Sequence, residues 1–431
     1  MTLKFKWETE FKQTEIGEIP REWEEKRVED FYRLMYGITT SSKGYGNCRL
    51  LRMTDIGEED INIETIPYAK IDEQELKKYY LDEDDLVISR IANVGAIGHI
   101  RGDLLQKLDK PLIFGSYLLK FVKQPGKQIY NRFVYYFFIS HPMQTFIESL
   151  AEGSTRPNTN AKVVSKFPLY YPSSPEQSRI ATVLSWFDDL IENKKRQNEI
   201  LEKVAMAIFK SWFVDFEPFK DEEFVYNEEL GKEIPRGWEV EELVEFVSTQ
   251  YGFTASGEET GKIKLLRIKD INKAFVIDWD SVPFCNIIND IFQKYQLKNM
   301  DIVISRIGDI GKVAIVENPP LSVFASYLIR LKIKNHKLTP YYLYYWLKAP
   351  DYQEYIQGAA EGSTRPNTNA EVIKAGPILI PPPSLIEKFE EVVFPIRNKI
   401  ILNQKQIMVL RKIRDALLPK LVFGRLRVKE I

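Results

Sequence analysis

At 431 residues the chain is long enough for two or three domains, each with its own core. Hydrophobic residues at 44% and charged residues at 28% are ordinary for a globular protein, and the longest apolar run, Phe133 to Ile139, is far too short to span a membrane. Cys48 and Cys285 have no partner spacing and the three histidines lie far apart, which excludes a disulfide framework and a zinc motif; a net charge of −1 excludes a uniformly basic binder of nucleic acid.

Met1 to Glu8 lacks the apolar stretch of a signal peptide, so a reducing cytoplasm is the expected location. Residues 1–174 read as a first mixed domain. From Phe31 to Thr54 there are four basic residues (Arg33, Lys43, Arg49, Arg52) and no acidic one, and the stretch Asp55 to Asp85 is heavily acidic. Such segregation suits one basic face on a neutral body, although charge runs are most often solvated surface. Asp85 to Ser89 and Ser116 to Val122 alternate and are bounded by Gly, Pro or Asn, which favours strands. The aromatic segment Asn131 to Phe146 is predicted helical. The loop AEGSTRPNTNA, Ala151 to Ala161, follows, and then a strand ending at Pro172.

Residues 175–216 carry apolar side chains in steps of three and four, including Ile180, Val183, Leu184, Phe187, Ile191 and Ile208, the pattern of a long helix packing along a seam. The chain then repeats its grammar, with a second domain over 217–383 and a second helix over 384–424. AEGSTRPNTNA returns unchanged at Ala360 to Ala370, an offset of 209. Tyr36-Gly37 matches Tyr251-Gly252, and Leu50-Leu51-Arg52 matches Leu265-Leu266-Arg267. Val87-Ile88-Ser89-Arg90-Ile91 matches Val303-Ile304-Ser305-Arg306-Ile307, and Ser116-Tyr117-Leu118 matches Ser326-Tyr327-Leu328. The aromatic helix recurs over Pro340 to Tyr355.

The expected fold is α+β: two repeated domains joined by two long antiparallel helices, a coiled coil with pseudo-two-fold symmetry. Each helix would be roughly 50 to 60 Å long at about 1.5 Å per residue. Lys194, Asn198, Lys399 and Asn403 interrupt the seam where register needs control, and Pro395 is expected to kink or divide the second helix. Pseudo-symmetry also brings the chain ends near each other.

Two variable domains, each ending in a proline-bounded strand and a long helix, resemble the specificity subunit of type I restriction–modification systems. The marks are Gly153 to Asn158, then Tyr171 to Gln177, then Phe209-Lys210-Ser211-Trp212-Phe213. The second copy keeps the order with Gly362 to Asn367 and Pro381 to Glu387, has Lys388 in place of Gln177, and ends in Leu417-Leu418-Pro419-Lys420-Leu421. The resemblance spans essentially the whole chain. It implies a non-catalytic protein that binds double-stranded DNA, each domain reading one half of a bipartite target. The helices would set the spacer and dock two adenine-methylating modification subunits, which a nuclease and translocase subunit can join. S-adenosylmethionine, ATP and Mg²⁺ are then expected on the partners alone, with no cofactor or metal on this chain.

Candidate DNA contacts come in pairs. Ser154, Thr155, Arg156 and Asn158, with their twins Ser363, Thr364, Arg365 and Asn367, offer hydroxyls, amides and a guanidinium to phosphates, or form only a joint between domain and helix. Ser89-Arg90 and Ser305-Arg306 stand between an apolar strand and a Gly-containing turn. These arginines could reach a base edge or a phosphate, or merely pair with Asp85 and Asp301. Tyr36, Lys43 and Arg52, with Tyr251, Lys262 and Arg267, occupy loops suited to base reading or equally to polar surface. Trp212, Phe213, Leu417 and Leu421 are expected to pack against a modification subunit.

Asn318-Pro319-Pro320-Leu321 resembles the Asn-Pro-Pro-aromatic motif of adenine methyltransferases, but its fourth position lacks the ring that stacks a flipped base, so it reads as a turn. Glu192-Asn193-Lys194 copies half of a nuclease signature but lies on the long helix. Two competing readings stand beside DNA recognition. A bare scaffold would show no salt-dependent DNA affinity, and a methyltransferase acting alone would bind S-adenosylmethionine.

Overall fold

The computed structural model describes residues 4–57, 61–151, 159–272, 275–359 and 367–430. Contacts divide the chain into two units: residues 1–189 with 411–431, and residues 190–410. Each unit holds the same pair of sheets. In the first, a four-stranded antiparallel sheet runs in the order Tyr32–Tyr36, Leu118–Lys123, Leu86–Ser89, Ile97–His99. Beside it Cys48–Leu51 pairs in parallel with Leu112–Phe114 and antiparallel with Tyr68–Ala69. The second unit repeats this with Val247–Tyr251, Leu328–Ile333, Ile302–Ser305 and Val313–Ile315, and with Ile263–Leu266 between Ser322–Phe324 and Phe284–Cys285. Leu86–Ser89 and Ile302–Ser305 are buried throughout, as near-continuous apolar runs require.

Each aromatic segment is two helices rather than the single one expected: Asn131–Ile139 then His141–Ala151, and Pro340–Lys348 then Pro350–Gly358. Pro350 disfavours helical backbone at Ala349, and Pro142 is tolerated only in a first helical turn. From Tyr341 to Leu347 every side chain of the third of these helices is buried. Its polar tips all find partners: Tyr342 donates to the Leu379 carbonyl (2.7 Å), Tyr344 and Tyr345 to Glu202 (3.0 Å each), and Trp346 to the Pro377 carbonyl (2.8 Å).

Two helices of 40 residues dominate the chain, α1 at Ser174–Phe213 and α2 at Pro383–Val422. They are not separate bodies, because each unit takes one stretch of each helix. Within the first unit Ile180, Val183 and Leu184 share a core with Leu418, Leu421 and Val422. Within the second, Phe209 and Phe213 pack on Phe389 at ring distances of 5.4 Å. Further along, Asn198 accepts an amide hydrogen bond from Asn403 at 2.9 Å. Partner numbers fall on α2 as they rise on α1, so the helices run antiparallel. The buried Asn198–Asn403 pair sits in the mid-seam stretch where a register device was expected. Pro395 does not divide α2, which runs unbroken from Pro383 to Val422. Pro395 and Glu391 are both exposed, so the missing helical hydrogen bond lies on the solvent side of α2.

The chain ends do meet: Lys4–Trp7 pairs antiparallel with Leu426–Glu430 inside the first unit.

Candidate nucleic-acid interface

Three adjacent strands of each four-stranded sheet finish at one edge, where Leu119 pairs with Tyr36 and Leu118 with Ser89. That register delivers Tyr36, Arg90 and Tyr117 to the same place. In the second unit it delivers Tyr251, Arg306 and Tyr327. The guanidinium of Arg90 lies 5.4 Å from the Tyr36 ring centre and 5.9 Å from that of Tyr117, and Arg306 lies 5.3 Å from Tyr251. All four tyrosines are exposed.

The hydrogen bonding repeats as closely as the residues do. Arg90 donates from Nε to the Ser116 carbonyl at 2.9 Å, and Arg306 to that of Ser326 at 3.0 Å. The Tyr36 hydroxyl accepts the Ala161 N–H at 3.1 Å, and Tyr251 accepts that of Ala370 at 3.0 Å. Thr159 and Thr368 donate their N–H groups to the carbonyls of Arg90 and Arg306, at 2.8 Å each. These last bonds tie the ends of the two GSTRPNTNA loops to the platform. Gly37 and Gly252 are needed beside it, because a Cβ at either would stand 2.2 Å from a carbonyl oxygen, of Gly115 or Ala325.

The other expected residues fall out differently. Ser89 and Ser305 are corrected: both are fully buried. Ser89 donates to the Ile91 carbonyl (3.0 Å), while Ser305 donates to the Asp309 carbonyl and accepts the Lys312 N–H (3.0 Å), so they build the turn that presents the arginine. Arg90 and Arg306 do not pair with Asp85 and Asp301. Those acids hold Lys120 at 2.5 Å and Arg330 at 3.1 Å instead. Arg52 and Arg267 spend Nε and Nη2 on the buried carboxylates of Asp55 and Asp270, at 2.7 to 3.0 Å, which makes them local braces. Lys43 and Lys262 are exposed. Asn367 is exposed, its amide oxygen 3.5 Å from Arg306 Nη1. Ser154, Thr155, Arg156, Asn158, Ser363, Thr364 and Arg365 lie outside the described residues.

Tyr117 and Tyr327 are members of the platform beyond the expected site residues, and the repeated Ser-Tyr-Leu is the sequence signal that marks them. Of the expected partner contacts, two are enclosed in the cores and two are partly exposed. Phe213 and Leu421 are fully buried in the cores, and Trp212 and Leu417 are half-buried against the same clusters. The apolar side chains that the long helices expose include Ile200 and Val204 on α1, and Val409 and Ile413 on α2, all 42 to 60% accessible, besides Trp186, Leu190, Val392, Phe394 and Leu402. Ile200/Val204 and Val409/Ile413 are each an i, i+4 pair, and the two pairs are separated by the 209-residue offset of the repeat.

The decoys lie where no chemistry is assembled. Asn318 to Leu321 links Val313–Ile315 to Ser322–Phe324, and Glu192 to Lys194 are within α1. Among the described residues no cluster of His, Cys, Asp or Glu could hold a metal ion, and no helix is long and apolar enough to cross a membrane.

Residues 20–203 and 235–411 each match the type I restriction modification DNA specificity domain family. The chain is 36% identical to the type I restriction enzyme MjaIX specificity subunit of Methanocaldococcus jannaschii, over 100% of this chain and 99% of that one. It is 24% identical to the HindI specificity subunit of Haemophilus influenzae, over 68% of this chain and 77% of the relative. In fold it resembles the crystal structure of a type I restriction–modification S subunit from M. genitalium, with a TM-score of 0.51, 17% identity, and coverage of 95% of this chain and 96% of that one.

Proposed function

Because this chain belongs to the type I restriction–modification specificity-subunit family, a DNA-recognition subunit that is not itself catalytic, we propose that each repeat reads one half of an asymmetric bipartite DNA target. The observation that carries this is the duplicated arginine–tyrosine platform, one in each unit, beside segments that differ between the copies. A net charge of −1 requires any positive contact to be local, and Arg90 and Arg306 place one cation at each sheet edge. S-adenosylmethionine, ATP and Mg²⁺ belong to the partner subunits.

The test is to express the chain with its modification subunit in a host without adenine methylation and to map the methylated adenines. The expected result is one motif with two unlike halves at a fixed spacing. A single contiguous site, or a perfect palindrome, sinks the reading.

The same reading assigns the exposed pairs Ile200/Val204 and Val409/Ile413 as docking positions, since two equivalent apolar patches fit two copies of one modification subunit. Replacing Ile200 and Val204 by Asp should lower the number of bound modification subunits from two to one, as counted by mass photometry. Changing all four positions should lower it to none. Fold stability should move by no more than about 0.5 kcal/mol, because the positions are on the surface. Unchanged stoichiometry in the fourfold variant removes this assignment.

A further inference from the structure

We infer that the two arginine–tyrosine platforms grip backbone phosphates and set the register of the duplex, leaving base selection to the segments that differ between the repeats. This rests on the DNA-recognition reading and divides its labour.

The argument starts from sameness. Tyr36, Arg90 and Tyr117 reappear as Tyr251, Arg306 and Tyr327, and the bonds that fix them agree to within 0.1 Å. The Arg90–Tyr36 and Arg306–Tyr251 distances also differ by only 0.1 Å. The neighbouring segments do not match. In sequence they differ: the helix Glu73–Tyr79 reads EQELKKY, whereas its counterpart Asn289–Tyr295, at the same place four residues after a short strand, reads NDIFQKY. Identical chemical surfaces cannot tell two unlike half-sites apart. They can meet what every stretch of duplex offers, and that is the phosphate backbone.

The donor geometry agrees. With Nε held by a carbonyl, each guanidinium is fixed in orientation before DNA arrives. The Tyr36 and Tyr251 hydroxyl oxygens accept a backbone N–H, which leaves the hydroxyl proton to be donated. A charged fork beside a hydroxyl donor matches the oxygens of a phosphate. The buried Ser89 and Ser305 hydroxyls hold the turns, and Gly37 and Gly252 allow the close strand approach, so the platform is built into the sheet edge.

The experiment uses the full-length chain with its modification subunit and two labelled 40-bp duplexes, one carrying the mapped motif and one unrelated, titrated from 50 to 300 mM salt. Arg90→Gln should weaken both duplexes by a similar factor, on the order of tenfold. It should also lower the slope of log affinity against log salt by about one. Arg306→Gln should do the same, and the double variant should lower the slope by about two. Arg90→Lys guards against a misfolded Gln variant: it keeps the charge, so the slope should stay while affinity falls less. The mapped motif should be unchanged in every variant. A change of base at one half-site, or a loss confined to the motif duplex, overturns the proposal in favour of base reading. Variants that bind like the parent at all salts overturn it too. If the parent itself binds neither duplex, the DNA-recognition reading fails instead.

Discussion

Replacing Arg397 by Met should destabilise the second unit by about 3–5 kcal/mol, the usual effect of stranding buried charge. Arg397 on α2 is completely buried and donates to Glu202 at 2.7 Å, to Glu317 through Nε at 3.2 Å and again through Nη2, and to the Phe275 carbonyl at 3.3 and 3.4 Å. Glu202 on α1 is also held by Lys348 at 2.5 Å and by the hydroxyls of Tyr344 and Tyr345. Two acids and two bases thus balance inside the core. Without Arg397, Glu317 keeps among these groups only the Tyr341 hydroxyl at 3.0 Å.

The pH dependence should reveal the mechanism. Burial alone would raise the Glu202 carboxyl, but Lys348 and Arg397 beside it hold it below its usual value. In the parent its contribution is therefore complete above about pH 4.3, the unfolded value, and is lost as pH falls through the lower folded value. In Arg397→Met, burial gains on the remaining attraction of Lys348 and the Glu202 carboxyl moves upward. A raised folded value disfavours the charged form, so the deficit should be largest near pH 8 and shrink toward pH 5. Hydrogen exchange of the core helix Pro340–Lys348 at the two pH values measures it. A deficit below about 1 kcal/mol, or one equal at both pH values, contradicts an ionised network.

Arg427→Ala should open the junction of the chain ends, at a cost of about 2–4 kcal/mol within the first unit. Arg427 is nearly fully buried on the last strand. It bonds Glu8 at 2.8 Å, Glu22 at 2.7 Å, and Glu176 in the first turn of α1 through both Nε and Nη2. Glu22 is largely exposed, so Glu176 and Glu8 carry most of the effect. In the second unit the chain is continuous at the corresponding place, and Phe216 and Phe219 cover Trp238 at 5.5 and 5.2 Å. In the first unit the twin, Trp23, has Arg427 over its ring at 5.9 Å. Strand pairing and one arginine there replace a covalent connection. Amide exchange should accelerate at least 30-fold in Lys4–Trp7 and Leu426–Glu430, the rate equivalent of about 2 kcal/mol, while the second unit keeps its protection. Unaltered protection of Lys4–Trp7 would falsify the clasp.

Much of this is legible in the sequence. The repeat announces two domains of one design, because matching stretches recur in the same order, at offsets that drift only from 215 or 216 down to 209. Apolar steps of three and four announce α1 and α2, because the period of a helix is fixed by its backbone. Meeting chain ends follow from the repeat as well.

What the sequence could not decide is which way neighbouring polar residues face. Ser89 and Arg90 are adjacent, and both suit DNA. Only the pairing of Leu86–Ser89 between two strands turns the serine inward and lets the arginine leave the sheet edge, since successive residues on a strand point to opposite faces. Likewise a Trp-Phe at the end of α1 looks equally like a docking knob or a core residue. Packing against Tyr342 and Phe389 buried Phe213 and left Ile200 and Val204 outside. Arg52 and Arg90 carry the same charge, yet one is tied to Asp55 three residues away and the other stands between tyrosines brought from 27 and 54 residues away. Local periodicity is written along the chain, whereas the choice of partner depends on which strands meet, and that is settled only when the whole core closes.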